Sequence, residues 1–301
     1  MANSKTILIT GTSSGFGLLT AKTLAGKGHH VFATMRGLTG KNKAAAKGLT
    51  DYAKSNNLKI DLLELDVTND DSVTTAVETI IKRTGRIDVV VNNAGVGAVG
   101  PIETYTPEAA QRLFEVNLFG VHRVNRAVLP HMRKAHSGLL IHTSSLLGRV
   151  SVPFFGFYNA SKYALEGLVE SIRAELSAFG VDAVIIEPGA FPTTGFGGNV
   201  TTPDDAATAS SYGPLMEVPE KMFAGMGEAF AGNMPDPQDV ADATLRLIET
   251  PHGTRPLRTV VDRMAADPFE ALNKTTDQVG SGMADGFGIN QLVADATKRL
   301  N

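Results

Sequence analysis

The sequence predicts an α/β fold: a doubly wound, mostly parallel sheet of seven strands with helices on both faces. Short β-rich apolar runs recur along the 301 residues, several of them apolar throughout, as strands covered on both faces require. Stretches of helical periodicity separate them, such as Leu165, Leu168, Val169, Ile172 and Leu176. Their regular alternation argues for right-handed βαβ crossovers.

The elements are expected in this order. Strand Thr6–Thr10 runs into a glycine-rich turn and helix 15–27, and strand Val31–Met35 precedes helix 41–56. Strand Ile60–Leu65 stops at Asp66 before helix 70–84; strand Ile87–Asn92 precedes helix 107–134. Strand Leu139–Thr143 leads through Ser144 and Ser145 toward helix 157–179, and strand Val181–Glu187 ends at Pro188-Gly189. The alternation then breaks. Residues from about 190 to 235 are rich in Gly, Pro, Thr, Ser, Met and Phe, and their position after a late strand suits a lid, because ligands of open α/β sheets lie beyond the carboxyl ends of the strands. Helix 238–249, strand Leu257–Val261 and a partly helical C-terminal extension at 265–301 complete one expected domain, 1–301.

Composition excludes several functions. With 28 basic against 31 acidic side chains the net charge is −3, so the basic surplus of a nucleic-acid binder is missing. Cysteine is absent, which removes disulfides, thiolate metal sites and a thiol nucleophile. Neither the adjacent His29–His30 nor His131 and His136, five apart, has the spacing of a helical metal pair. No apolar run approaches a membrane span or a signal-peptide core, so a cytoplasmic location is expected, and the Asn-x-Ser/Thr tripeptides at 159, 199 and 273 read as chance matches.

Three clusters carry chemistry. In Thr10-Gly-Thr-Ser-Ser-Gly-Phe-Gly17, glycines at Gly11, Gly15 and Gly17 permit a tight turn, a close backbone approach to a pyrophosphate and close strand–helix packing; the helix dipole favours negative charge. Such a turn also needs glycine for structural reasons. Asp66 and Asn92-Asn-Ala-Gly95 stand at the carboxyl ends of strands, where they can line one crevice, cap a helix or tie neighbouring strands. In Tyr158-Asn-Ala-Ser-Lys162 the i, i+4 spacing puts an ammonium near a phenol, a charge that favours phenolate and lowers a pKa of about 10. Ser145 is placed to hydrogen-bond the same substrate oxygen.

Together with Leu65-Asp-Val67, Asn117 and Pro188-Gly189, these motifs resemble the short-chain dehydrogenase/reductases in order and spacing from about residue 5 to about 262. The surroundings Gly148-Arg-Val-Ser-Val-Pro153 and Tyr158 to Gly167 look like the branch containing 17β-hydroxysteroid and retinol dehydrogenases and bacterial carbonyl reductases. The resemblance implies a Rossmann-type fold. It also implies that Tyr158 is the general acid or base, that Ser145 orients the carbonyl, and that Lys162 binds the nicotinamide ribose and depresses the Tyr158 pKa. Asn117 would hold a water of the proton relay, and Ser144 competes with Ser145, which stands thirteen positions before the tyrosine as the family requires. For the cofactor it implies Gly11, Ser13, Ser14, Gly15, Phe16 and Gly17 around the phosphates, Asp66 and Val67 at adenine, Asn93, Ala94 and Gly95 along the centre, and Pro188, Gly189 and Thr193 at the nicotinamide end. Helices 107–134 and 157–179 are long enough for the four-helix contact of a homodimer or homotetramer.

Cofactor choice turns on Met35-Arg36. A guanidinium there pairs with a 2′-phosphate and no nearby carboxylate opposes it, which favours NADP over NAD, although Ser14 occupies a position that is basic in many NADP-preferring relatives. Phe154, Phe155, Phe157, Phe191, Phe196, Met216, Met222, Phe223, Met226 and Phe230 suggest a hydrophobic carbonyl or alcohol, and Lys221 is the one basic residue in 189–235. The expected function is an NADP-dependent oxidoreductase interconverting ketone or aldehyde and alcohol. A non-catalytic nucleotide sensor would not need Asn117, Ser145, Tyr158 and Lys162 together; a sugar-nucleotide epimerase would carry a different glycine spacing; an acyl-thioester ketoreductase stays open.

Overall fold

The computed structural model describes residues 4–194, 198–230 and 232–300. Seven strands form one parallel sheet: β1 (Thr6–Thr10), β2 (His30–Met35), β3 (Ile60–Glu64), β4 (Val89–Asn92), β5 (Gly138–Thr143), β6 (Val181–Pro188) and β7 (Arg258–Val261). They lie in the order β3-β2-β1-β4-β5-β6-β7. The winding therefore reverses between β1 and β4, and a crevice opens beyond their carboxyl ends at that switch point.

Side chains of β1 alternate between two cores. Ile7 and Ile9 face α1 (Gly15–Gly26), α2 (Lys43–Ser55) and α9 (Gln238–Glu249), where Leu24, Leu49, Val240 and Ile248 bury them. Leu8 faces α3 (Asp70–Thr84), α5 (Gly120–Ala135) and α6 (Gly156–Ser177), against Val77, Ile80, Val124 and Leu165. Burying each such side chain stabilises the fold by about 1.5–3 kcal/mol. Helix α3 shows how local sequence sets the ends of these elements. Asn69 Oδ1 accepts from the Ser72 N–H at 2.8 Å, Asp70 and Asp71 fill the first turn, Lys82 and Arg83 the last, and Gly85 stops the helix at φ +75°.

The expected helix 107–134 is two helices, α4 (Pro107–Phe114) and α5, joined by a π-helical turn at Glu115–Phe119. The wider turn brings Asn117 inward to full burial, where it bonds a loop beyond its own helix. The 190–235 segment holds α7 (Ala206–Ser211) and α8 (Val218–Ala229), and a strand too short for periodicity to reveal: Val200–Thr201 pairs in parallel with Gly97–Ala98. Side chains secure that pairing. Tyr105 Oη donates to the Thr201 carbonyl at 2.8 Å, and Asp204 accepts from the Thr106 N–H at 2.9 Å and from Arg112 at 3.2 Å. Of the expected apolar lining, Phe196 and the Met226 side chain lie outside the described residues. The C-terminal extension forms α10 (Ala266–Gly286) and α11 (Ile289–Leu300).

A buried polar chain crosses the sheet. Asn92 Nδ2 donates to Asn125 Oδ1 at 2.8 Å, Asn125 Nδ2 lies 3.1 Å from His142 Nε2, and His142 Nδ1 lies 3.2 Å from the Val184 carbonyl. These partners assign a neutral imidazole protonated at Nδ1. Burial lowers the His142 pKa to about 4, against the bond to Val184, which raises it. Among the described residues no helix is long and apolar enough to cross a membrane, and no cluster of His, Asp and Glu could hold a metal ion.

Candidate active site

The crevice at the switch point is built from the ends of β1 to β4. Gly11 at φ +72° turns the chain out of β1 and lies so close to Ala94 that an added Cβ would stand 2.8 Å from the Ala94 Cα. Thr10 Oγ1 accepts from the Asn93 and Ala94 N–H groups at 3.0 Å each, and Asn93 Nδ2 donates to the carbonyls of Thr10 at 2.9 Å and Gly11 at 3.0 Å. The Asn93 side chain therefore ties two loops together, while the backbone of 93–95 lines the groove. Ser14 caps α1 without a side-chain bond, which leaves the helix N-terminus open to an anion.

Gly11, Ser13, Ser14, Gly15 and Phe16 line the groove together with Asp66, Val67, Asn93, Ala94 and Gly95, and with Arg36 just beyond the end of β2. Gly17 does not line the groove. It packs beneath it, where a Cβ would lie 2.3 Å from the Gly11 carbonyl. Several lining residues are illegible in the sequence: Lys41, Asn42, Val96, Val116, Thr194 and Asn199. Lys41 brings a second basic side chain beside Arg36, a pairing hinted at only by its five-residue distance. Burial would raise the Asp66 pKa, but Thr68 donors and the charges of Arg36 and Lys41 hold it below the ordinary aspartate value.

At the nicotinamide end the placements diverge. Thr193 is exposed and outside the groove lining, where its neighbour Thr194 stands. Gly189 donates its N–H to the Val261 carbonyl at 3.0 Å and leaves room for the Asp262 carboxylate, which any Cβ would strike; Pro188 closes β6. These groove residues fit a dinucleotide. Glycine backbone and a free helix end would meet a diphosphate and apolar side chains would flank a flat base, while Thr194 bounds the groove opposite Gly15, its Cβ 3.7 Å from where a Gly15 Cβ would stand.

The candidate catalytic side chains come from the loop after β5 and from α6. Tyr158 is buried and bonds the Ser145 side chain. Lys162, one turn on, donates from Nζ to the Thr143 carbonyl at 2.8 Å, with Nζ 5.8 Å from the Tyr158 ring centre. Asn117 Oδ1 accepts from the Val96 N–H, and its Nδ2 donates to the Val96 carbonyl and to Ser161 Oγ, so its amide is engaged on both sides. Burial pushes the Tyr158 phenol up to about 12, against the Ser145 bond, and pulls Lys162 down to about 8, against the charge of Glu166. This corrects the expectation that Lys162 lowers the Tyr158 pKa: desolvation dominates, and the ammonium is turned onto a backbone carbonyl. Around Tyr158 a buried apolar cluster joins Tyr105, Phe155, Phe157 and Met222, and Phe223 of α8 meets Phe155 edge-on at 6.1 Å. Phe191 belongs elsewhere, packed on Phe16 at 5.1 Å.

A family model for short chain dehydrogenases matches residues 5–204. The 3-ketodihydrosphingosine reductase of Bacteroides thetaiotaomicron is 43% identical over 194 residues, 64% of this chain and 66% of that protein, just under two thirds of its length. Human retinol dehydrogenase 8 is 35% identical over 292 residues, 93% of this chain and 88% of its own. An alcohol dehydrogenase from the archaeon Thermococcus sibiricus, solved with 5-hydroxy-NADP, is 26% identical and superimposes with a TM-score of 0.68 over 86% of this chain and 96% of its own. With the glycine turn, the crevice and the Ser145–Tyr158–Lys162 group in their observed places, the chain belongs to the short-chain dehydrogenases, oxidoreductases acting on alcohols and ketones.

Proposed function

We propose that this protein is an NADP-dependent reductase of hydrophobic ketones or aldehydes, with Tyr158 as proton donor. The observation that carries the reading is the Tyr158 hydroxyl bonded to the Ser145 side chain beside a buried apolar cluster. Burial keeps the Tyr158 phenol protonated at neutral pH, the form in which it can donate a proton to a carbonyl. Ser145 orients the carbonyl oxygen, and Lys162 replenishes the proton and holds a ribose hydroxyl. When bound, the reduced cofactor supplies the hydride. Arg36 and Lys41 favour the 2′-phosphate of NADP, with NAD as the weaker ligand.

Phe155, Phe157, Met222 and Phe223 support a bulky apolar substrate, in keeping with relatives named for 3-ketodihydrosphingosine and retinol. Val200, Met222 and Phe223, which pack on this cluster, support a lid role for the 190–235 segment within one domain, and exposed Phe119, just before α5, and Tyr163 of α6 support pairing of copies. A nicotinamide-absorbance screen of steroid, retinoid, aromatic and acyl-thioester carbonyls with both cofactors identifies the substrate. Tyr158→Phe then slows turnover by roughly 10²–10⁴-fold while cofactor binding survives. Near wild-type turnover in that variant would refute the reading.

A further inference from the structure

Helix α6 meets the end of β5 through three successive turns. Tyr158 bonds Ser145, Lys162 holds the Thr143 carbonyl at 2.8 Å, and Glu166 faces the Ser144 side chain. Side chains four apart share a helical face, so one stripe faces three consecutive residues. Gly148 permits the approach: a Cβ there would stand 2.8 Å from Ser144 Oγ and 3.2 Å from Glu166 Cγ.

Glu166 is 2% exposed, and a carboxylate so buried needs a paired cation. Arg258 of β7 supplies it, with Nε 2.9 Å from Glu166 Oε2. Helix α10 in turn holds Arg258, whose Nη1 donates to Asp277 Oδ1 at 2.6 Å. Beside this pair, Arg149 donates to Asn273 at 2.9 Å and to Thr276 at 2.6 Å, and Asn273 Nδ2 donates to Glu187 Oε2 at 2.5 Å. The C-terminal extension is thereby anchored behind the reactive group.

We propose that Glu166, gripped by Arg258 and through it by α10, is a positioning residue that holds the Lys162 ammonium in register with Ser145 and Tyr158. The inference rests on Tyr158 and Lys162 being the proton-transfer pair. The titratable and charged groups around Glu166 are Arg258 from β7, Arg149 from the segment after β5, Glu187 from β6, which burial pushes up to about 8, Asp277 from α10, and Lys162 and Glu170 on its own helix. Its negative charge supports the Lys162 ammonium against the burial that opposes it.

The test is pH-dependent trace acetylation of Lys162, read by peptide mass spectrometry, in the full chain without cofactor. Wild type, Glu166→Gln, Glu166→Asp and Asp277→Asn are titrated from about pH 6 to about pH 10. Loss of a neighbouring negative charge favours the neutral amine, so Glu166→Gln lowers the Lys162 midpoint by roughly half a unit or more. Glu166→Asp restores most of the shift, and Asp277→Asn, which loosens Arg258 without touching the site, gives a smaller shift in the same direction. An unmoved midpoint in Glu166→Gln overturns the proposal whatever happens to the melting temperature, because packing by itself changes only stability. An unmoved midpoint in Asp277→Asn overturns the coupling to α10. Because the titration needs no substrate, its outcome is independent of the Tyr158→Phe turnover test.

Discussion

The Asn117 side-chain amide pairs with both backbone polar groups of Val96, accepting from the N–H and donating to the C=O at 2.9 Å each. It thereby fixes the segment after β4 that carries Gly95 past Lys162. Asn117→Leu strands both Val96 groups in a buried place and should cost about 2–5 kcal/mol. Urea unfolding checks the value, and turnover should fall with it. A loss below about 0.5 kcal/mol would mean that Val96 finds other partners.

Arg36 and Lys41 should divide the two cofactors. Arg36→Asp is expected to weaken NADP binding at least ~10-fold, about 1.4 kcal/mol, while NAD affinity changes little. Lys41→Ala weakens NADP in the same direction by less. Fluorescence titration of both nucleotides at low and high salt checks this, since added salt should erode the NADP advantage. Equal losses for NAD and NADP would remove the phosphate from the explanation.

Gly17 should tolerate no side chain. Its Cβ would lie 2.3 Å from the Gly11 carbonyl and 2.5 Å from Asn93 Nδ2, both parts of the tie between the first and fourth loops. Gly17→Ala is expected to cost about 1–3 kcal/mol and to reduce nucleotide affinity. Gly26→Ala, with nothing within 4 Å, is the control and should be neutral or slightly stabilising. Thermal melts of the two variants with and without NADP separate the effects.

His142 should make the protein acid-sensitive. Its folded pKa of about 4 lies below the unfolded 6.5, so the stability it contributes is present above pH 6.5 and is lost as pH falls toward 4. The difference amounts to about 3 kcal/mol. His142→Gln removes the titrating group and should flatten the slope in that window, though it lowers stability at pH 7. Urea melts across the window decide: parallel slopes in both proteins would place the acid sensitivity elsewhere.

Most of the frame was legible because its signals are local. Runs such as Ile7-Leu-Ile9 announce strands buried on both faces, and Asn69 with Gly85 marks the ends of α3. The glycine spacing and Tyr158-x-x-x-Lys162 are local too, and the glycine turn lines the groove at the switch point. The short strand Val200–Thr201 was not legible, because two residues carry no period and its partner lies about a hundred residues away. Thr194 could not be told from Thr193 for a related reason: which of two neighbours faces a groove depends on the turn between them.

The sequence by itself determined the order of strands and helices and the position of the crevice, and it singled out Ser145, Tyr158 and Lys162 as candidates, since periodicity and fixed spacings encode these. Only the tertiary structure decided the environments. Burial drives the Tyr158 phenol up and the Lys162 amine down, opposite to what charge proximity alone implies for the phenol. Lys41 gained a place beside Arg36, and α10 gained its grip on Arg258, because such contacts join residues brought together by the sheet. The physical reason is that desolvation and ion pairing depend on everything within a few ångströms in space, whereas periodicity and motifs register only neighbours along the chain.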